Sequence, residues 1–181
     1  RRQRQMCIRD RAIGAHVNGA NAKFTNSGTI SADNIALALK STTATKITNS
    51  GTLKLTKTGA VGVYADDSIV DFNIAPTVAT VADGTVALYA TGNTKIKSQI
   101  TSVTGKSHIG VYAEGNAEFQ SGSKVIVGNG IGNDYGIGIY TKAGYNKAIT
   151  SNIDLNGAET IGLYLGNDSV SSTGSTVNHT G

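Results

Sequence analysis

Cysteine, tryptophan and proline are almost missing from this chain of 181 residues, which has one Cys, one Pro, one Met and no Trp. A single Cys cannot close an intrachain disulfide, so a disulfide scaffold and a Cys-based zinc site are both excluded. One proline, Pro76, leaves backbone donors available almost everywhere for sheet ladders. No apolar run reaches 18 residues, so no segment reads as a membrane-spanning helix. No long stretch carries apolar residues at a 3.6-residue period, and helix is not expected beyond the first residues.

Arginine is also missing after residue 11. Residues 1–11 hold all five Arg together with Met6 and Cys7, whereas residues 12–181 hold eleven Lys and eleven Asp plus Glu. The body is therefore neutral, and the formal charge of +4 belongs to the leader. A basic arm for nucleic acid or anionic lipid is one reading of that leader. The other is a non-native end, because Arg-Arg-Gln-Arg-Gln-Met-Cys-Ile-Arg-Asp-Arg resembles the read-through translation of a sequencing adapter at the end of a metagenomic contig. We adopt the second. Residues 1–11 are expected to be a non-native or disordered leader, and residues 12–181 a single β-solenoid segment that is an internal fragment of a longer protein. With a neutral body, nucleic acid is not expected as a partner.

What the body does contain is one phrase, repeated seven times: apolar, small, apolar, usually Tyr, then mostly a small or aliphatic residue. It reads Val61-Gly62-Val63-Tyr64-Ala65, Val86-Ala87-Leu88-Tyr89-Ala90, Ile109-Gly110-Val111-Tyr112-Ala113, Ile137-Gly138-Ile139-Tyr140-Thr141 and Ile161-Gly162-Leu163-Tyr164-Leu165. Two degenerate copies precede these, Ile13-Gly14-Ala15-His16-Val17 and Ile35-Ala36-Leu37-Ala38-Leu39. The fourth position recurs after 22, 26, 25, 23, 28 and 24 residues. A period of that length marks a solenoid or propeller, in which each unit covers the apolar edge of the next.

Residues 107–130 show the content of one unit. The run Ile109–Ala113 reads as a strand, Glu114-Gly115-Asn116 as a turn, Ala117–Gln120 as a second strand, Ser121-Gly122-Ser123 as a second turn and Lys124–Val127 as a third strand. Other units repeat the corners as Asn18-Gly19, Gly92-Asn93, Ser27-Gly28-Thr29 and Ser50-Gly51-Thr52. A propeller blade needs roughly 40 residues and a leucine-rich repeat needs a fixed Leu and Asn ladder. The expected fold is all-β: a right-handed parallel β-helix of about seven coils of ~25 residues, with three short strands per coil. Strict alternation would put Ile109, Val111 and Ala113 on the core face and Gly110 and Tyr112 on the outer one. It predicts near-complete burial of Val61, Val63, Ile109, Val111, Ile137, Ile139, Ile161 and Leu163.

Chemistry-bearing residues are sparse. His16, His108 and His179 occupy different repeat positions, so no metal site is expected. Asp66-Asp67, Asp134 and Glu159 lie near corners, and no carboxylate recurs in register. Ser and Thr are abundant without a His and Asp in step with them, and Gly128-Asn129-Gly130-Ile131-Gly132 lacks the Lys of a phosphate loop. No catalytic residue and no cofactor is expected. Tyr64, Tyr89, Tyr112, Tyr140 and Tyr164 share one strand position and form the candidate ligand-contacting ladder. Tyr is a favoured contact residue for sugars and proteins, and a stacked Tyr ladder also serves stability alone. Both roles stay open.

The phrase Gly62–Ala65 and Gly110–Ala113, with the corners Gly115-Asn116, Ser50-Gly51-Thr52 and Ser121-Gly122-Ser123, resembles the passenger region of large autotransporter adhesins, most of all those of fusobacteria. The resemblance covers residues 12–181. It implies type V secretion and display at the cell surface. It also implies outer-membrane attachment through a C-terminal barrel, which this chain does not contain. The function it implies is a non-enzymatic adhesin or its stalk, meeting a protein or glycan on a host cell or a neighbouring bacterium. The alternative is a polysaccharide-acting enzyme on the same helix, a lyase or a tailspike-like hydrolase. Pectate-lyase-like β-helices use clustered Asp with an Arg base, and the body has no Arg to supply it.

Overall fold

The computed structural model describes residues 12–42, 47–74, 77–80, 82–103, 106–128, 135–166 and 174–180. The leader, residues 1–11, lies outside the described residues, as do Asp134 and most of the Gly128–Gly132 run. Among the described residues there is no helix, and every strand pairing is parallel.

Two seven-stranded sheets form the long walls of a β-solenoid. The tyrosine sheet stacks Ile13–Asn18, Ile35–Lys40, Val61–Asp66, Val86–Thr91, Ile109–Ala113, Ile137–Thr141 and Ile161–Leu165 in that order. The opposing sheet stacks Thr29–Ala32, Thr52–Leu55, Thr77–Thr80, Gln99–Val103, Lys124–Val127, Asn152–Asn156 and Val177–Thr180. Seven strands deep is six turns from the first rung to the last. At ~4.8 Å per rung the stack is roughly 30 Å long.

The third side is built differently along the rod. Phe24–Asn26, Ile47–Asn49 and Phe72–Ile74 form one three-stranded sheet, and Ile69–Val70, Lys95–Ile96 and Glu118–Phe119 another. The third coil contributes to both, so the short side changes track there. Unit 107–130 follows its sequence closely: strands at Ile109–Ala113, Glu118–Phe119 and Lys124–Val127, with Gly115 (φ 66°) and Gly122 (φ 90°) turning the two corners. Positive φ is strained for a residue with a Cβ, which explains glycine at both.

The interior is a stack of like side chains. Leu37, Leu39, Leu53, Leu55, Leu88, Ile96, Ile139, Ile149 and Ile153 are fully enclosed. At the corner following the tyrosine sheet, buried hydroxyls take up backbone amides from the neighbouring rung. The amide of Thr42 donates to Ser68 Oγ and the amide of Ser68 donates to Thr94 Oγ1, each at 3.2 Å. Turning the chain out of the sheet breaks the ladder there, and a buried amide left unpaired costs about 1–3 kcal/mol, so a hydroxyl column suits the position.

Candidate functional site

The parallel register sets the aromatic column. Tyr64 pairs with Tyr89, Tyr89 with Tyr112, Tyr112 with Tyr140 and Tyr140 with Tyr164. The rings stack along the outer face, with centroids 5.4, 4.7, 4.9 and 4.9 Å apart in that order. The planes are nearly parallel from Tyr89 to Tyr164, at 17°, 13° and 5°, and Tyr64 tilts away from Tyr89 by 30°. Above Tyr64 the column continues without tyrosine: Ala38 pairs with Tyr64 and His16 with Ala38.

The residues around the rings are not those that alternation predicts. Val63, Val111 and Ile139 are fully buried as expected, but Val61, Ile109 and Ile137 are only half-buried. Ile161 is 46% exposed and Leu163 half-buried on the outermost strand of this sheet among the described residues. The glycines have moved the other way. A Cβ added to Gly110 would sit 2.5 Å from Cγ1 of Val125, on the buried side of the opposing sheet, and one at Gly138 would sit 2.5 Å from Cγ2 of Ile153. The second position of the phrase therefore faces inward, beside the third.

Two consecutive inward residues break the pleat. The register pairs show this directly, running through the first, third, fourth and fifth positions and passing over the second in every pairing of this sheet. The small second residue is needed because β-branched side chains from across the core fill the space where its Cβ would go. The first position is thereby turned outward. The rings are flanked by an aliphatic column of Ile35, Val61, Val86, Ile109 and Ile137, not by glycine.

Two residues beyond Ala38, Tyr64, Tyr89, Tyr112 and Tyr140, on the outer face, runs a polar row that sequence reasoning did not single out: Lys40, Asp66, Thr91, Glu114 and Lys142, with Gly166 at the same position after Tyr164. Lys40 Nζ lies 3.9 Å from Asp66 Oδ2. Lys142 Nζ is 2.8 Å from Glu114 Oε2, and Thr91 donates to Glu114 Oε1 at 3.2 Å. The Tyr89 hydroxyl donates to the same carboxylate, one rung away. Burial alone would raise the Glu114 carboxyl, but hydrogen bonds from Lys142, Tyr89 and Thr91 hold it below its ordinary value. The Tyr89 phenol is raised, first by burial in the stack and then by the Glu114 charge. The available signal was a register argument: residues two past each Tyr must line up as the rings do.

Other candidates do not gather. His16 is exposed on the tyrosine face, His108 is fully buried, and His179 Nε2 lies 2.9 Å from the carbonyl oxygen of Gly157. Among the described residues no three His, Cys, Asp or Glu are grouped to hold a metal. Asp66 and Asp67 share the corner after Tyr64, and a Cβ at Gly92 would lie 2.9 and 2.5 Å from their Oδ1 atoms. Asp67 is occupied there by Asn93, whose backbone and side-chain amides donate to it at 2.8 and 3.0 Å. No protein-family model matches the chain, and no curated protein and no solved structure matches it.

Proposed function

We propose that this chain is a non-enzymatic rod segment of a cell-surface adhesin, displayed outside the outer membrane by a type V route, and that the tyrosine sheet is its contact face. The observation that carries the reading is a continuous outward strip of five stacked rings with an aliphatic column beside it. The outer positions of the opposing sheet are mainly Thr, Ser, Lys, Gln, Asn and Asp, which need no partner. Aromatic surface with hydroxyls along its edge suits the ring faces of a glycan or a flat protein patch. The likeness of the repeated phrase to autotransporter passengers supports the route and the location.

The test is adhesion of the chain to host cells and to other bacteria, with a glycan array in parallel, comparing parent with Tyr112→Ser/Tyr140→Ser. Loss of binding with the rod still folded supports the contact face. Equal binding moves contact elsewhere, and no binding by the parent leaves the role of a stalk.

One observation favours a second reading, a polysaccharide-acting enzyme: Asp66 and Asp67 come together at a corner next to Tyr64. Paired carboxylates are what glycoside hydrolysis uses. Incubation with acidic and neutral polysaccharides, followed by assay for new reducing ends or unsaturated products, tests it. Turnover that disappears in both Asp66→Asn and Asp67→Asn would replace the adhesin reading.

A further inference from the structure

The aromatic column has an empty rung, and we propose that it is a binding site for a single hexopyranose ring. His16, Ala38 and Tyr64 are consecutive members of one column. Two rung steps separate His16 from Tyr64, roughly 9.6 Å at the usual strand spacing. Neighbouring rings lower in the column are 4.7–5.4 Å apart. The interval above Ala38 therefore has the height of one inserted ring. A concavity of about 260 Å³ lies there, lined by Tyr64, His16, Ile13, Ile35, Ala38 and the Lys40–Asp66 pair, with Leu39 behind. That is below the usual range for drug-sized ligands and fits one ring rather than a chain.

The repeat itself says which groups the ring should carry. Lower in the stack the hydroxyl of Tyr89 donates to Glu114, the outer-row carboxylate of the following rung. The equivalent partner for a ring over Ala38 is Asp66, the outer-row carboxylate of the rung that bears Tyr64. Lys40 sits 3.9 Å from it, and the two side chains are 59% and 28% exposed, so both can reach a ligand. A pyranose offers an apolar C–H face to Tyr64 and several hydroxyls to Asp66, Lys40 and His16 at once. An aromatic side chain would cover the charged pair and return at most one hydrogen bond for its desolvation.

This site gives a ligand class to the tyrosine face, and so rests on reading that face as a contact surface. The experiment is ligand-observed saturation-transfer NMR with the full chain. The probes are the methyl glycosides of glucose, galactose and N-acetylglucosamine, with p-cresol as the aromatic competitor. The expected result is binding of at least one glycoside with a dissociation constant on the order of 1 mM, saturation falling on one face of the sugar. Ala38→Tyr fills the rung and should weaken binding at least tenfold while the melting temperature holds or rises. If Ala38→Tyr melts lower, Asp66→Asn decides. Weaker binding at an unchanged melting temperature sustains the site, and unchanged binding overturns it. Binding of p-cresol alone, of no probe, or equally by Ala38→Tyr overturns it too. Cell adhesion through Tyr112 and Tyr140 without glycoside binding removes this site and leaves the contact face. Glycoside binding without adhesion does the reverse.

Discussion

The tyrosine sheet and the sheet facing it are equally deep, equally parallel and wrapped round one core, yet they bury their residues by different rules. In the opposing sheet alternation is clean: Leu53 and Leu55 point in and Lys54 out, Val125 and Val127 in and Lys124 and Ile126 towards the surface, Ile153 and Leu155 in and Asp154 out. On its outside Lys124 Nζ pairs with Asp154 Oδ2 at 2.5 Å and Asn178 donates to Asp154 Oδ1 at 2.9 Å, an ordinary wet surface. In the tyrosine sheet two neighbours point in together, the ladder skips one of them, and the outer face becomes aliphatic and aromatic. A solenoid can thus keep one wall regular for stability while the other is re-pleated to carry apolar surface outward. The enabling residue is a small one: Ala36 and Ala87 hold the inward position fully buried, and in the rungs of Gly110 and Gly138 a Cβ would already lie 2.5 Å from Val125 or Ile153, so glycine is needed there.

Two neighbours on one strand, Ile109 and Val111, separate the two pleats most sharply. Val111→Asp puts an unpaired carboxylate into a fully enclosed site and should cost about 4–5 kcal/mol or prevent folding. Ile109→Asp places the same charge on the outer column and should cost about 1 kcal/mol. Under strict alternation the two would be equally damaging, so urea denaturation of the pair decides between the pleats. Next in size is Gly138→Val. Its Cβ would meet Ile153 Cγ2 at 2.5 Å and the carbonyl oxygen of Gly162 at 2.6 Å, both within the packed wall. Overpacking of this kind should cost about 3 kcal/mol. If Gly138→Val melts with the parent, the second position does not face inward.

The two walls were not equally legible in the sequence. Leu53-Lys54-Leu55 and Ile153-Asp154-Leu155 announce their facing because a charge sits between two aliphatics. Ile109-Gly110-Val111 does not, since glycine has no side chain to favour either face and isoleucine is tolerated on both. The repeat, the corners at Gly115 and Gly122 and the aromatic column followed from period and turn chemistry alone. The break in the pleat did not, because it depends on what arrives from the far side of the core, Val125 or Ile153, in a strand some fifteen residues later. The partner of Tyr89 was hidden for a related reason: Glu114 is distant from it in sequence, as Lys142 is from Glu114, and these groups meet only through the rung spacing.

A smaller effect separates the stacked face from the wet one. Replacing Tyr112 and Tyr140 together by Ser removes the middle of the ladder, where the rings lie 4.9 Å apart. The expected loss is about 1–2 kcal/mol, the sum of a few cross-strand pairs. The rod should still fold, since Val111 and Ile139 beneath them keep the core closed. The equivalent change on the other wall, Lys124→Ser, breaks an ion pair at the surface and should cost less than 1 kcal/mol. Thermal denaturation followed by circular dichroism ranks the two. Equal losses would mean that the ring stack adds no more than an exposed ion pair.

The smallest effect is one of pH, and it too distinguishes the faces. In the folded chain the Tyr89 phenol is raised by burial in the stack and by the hydrogen bond to Glu114, while an unfolded tyrosine ionises near pH ~10. A group whose pKa is raised on folding adds stability that is fully present below its unfolded pKa and is lost as pH rises beyond it. The Tyr89–Glu114 contact should therefore hold through neutral pH and weaken progressively from about pH 10 upward. Glu114 runs the opposite way: Lys142, Tyr89 and Thr91 keep its carboxyl low, so its share is present above the ordinary carboxylate range and is lost on acidification. Tyr89→Phe keeps the ring in the stack and removes only the hydroxyl. It should flatten the alkaline fall in melting temperature while leaving the acid side to Lys142 and Thr91. An alkaline limb as steep in Tyr89→Phe as in the parent would place the sensitivity on other phenols, and the ladder would then be held by its faces alone.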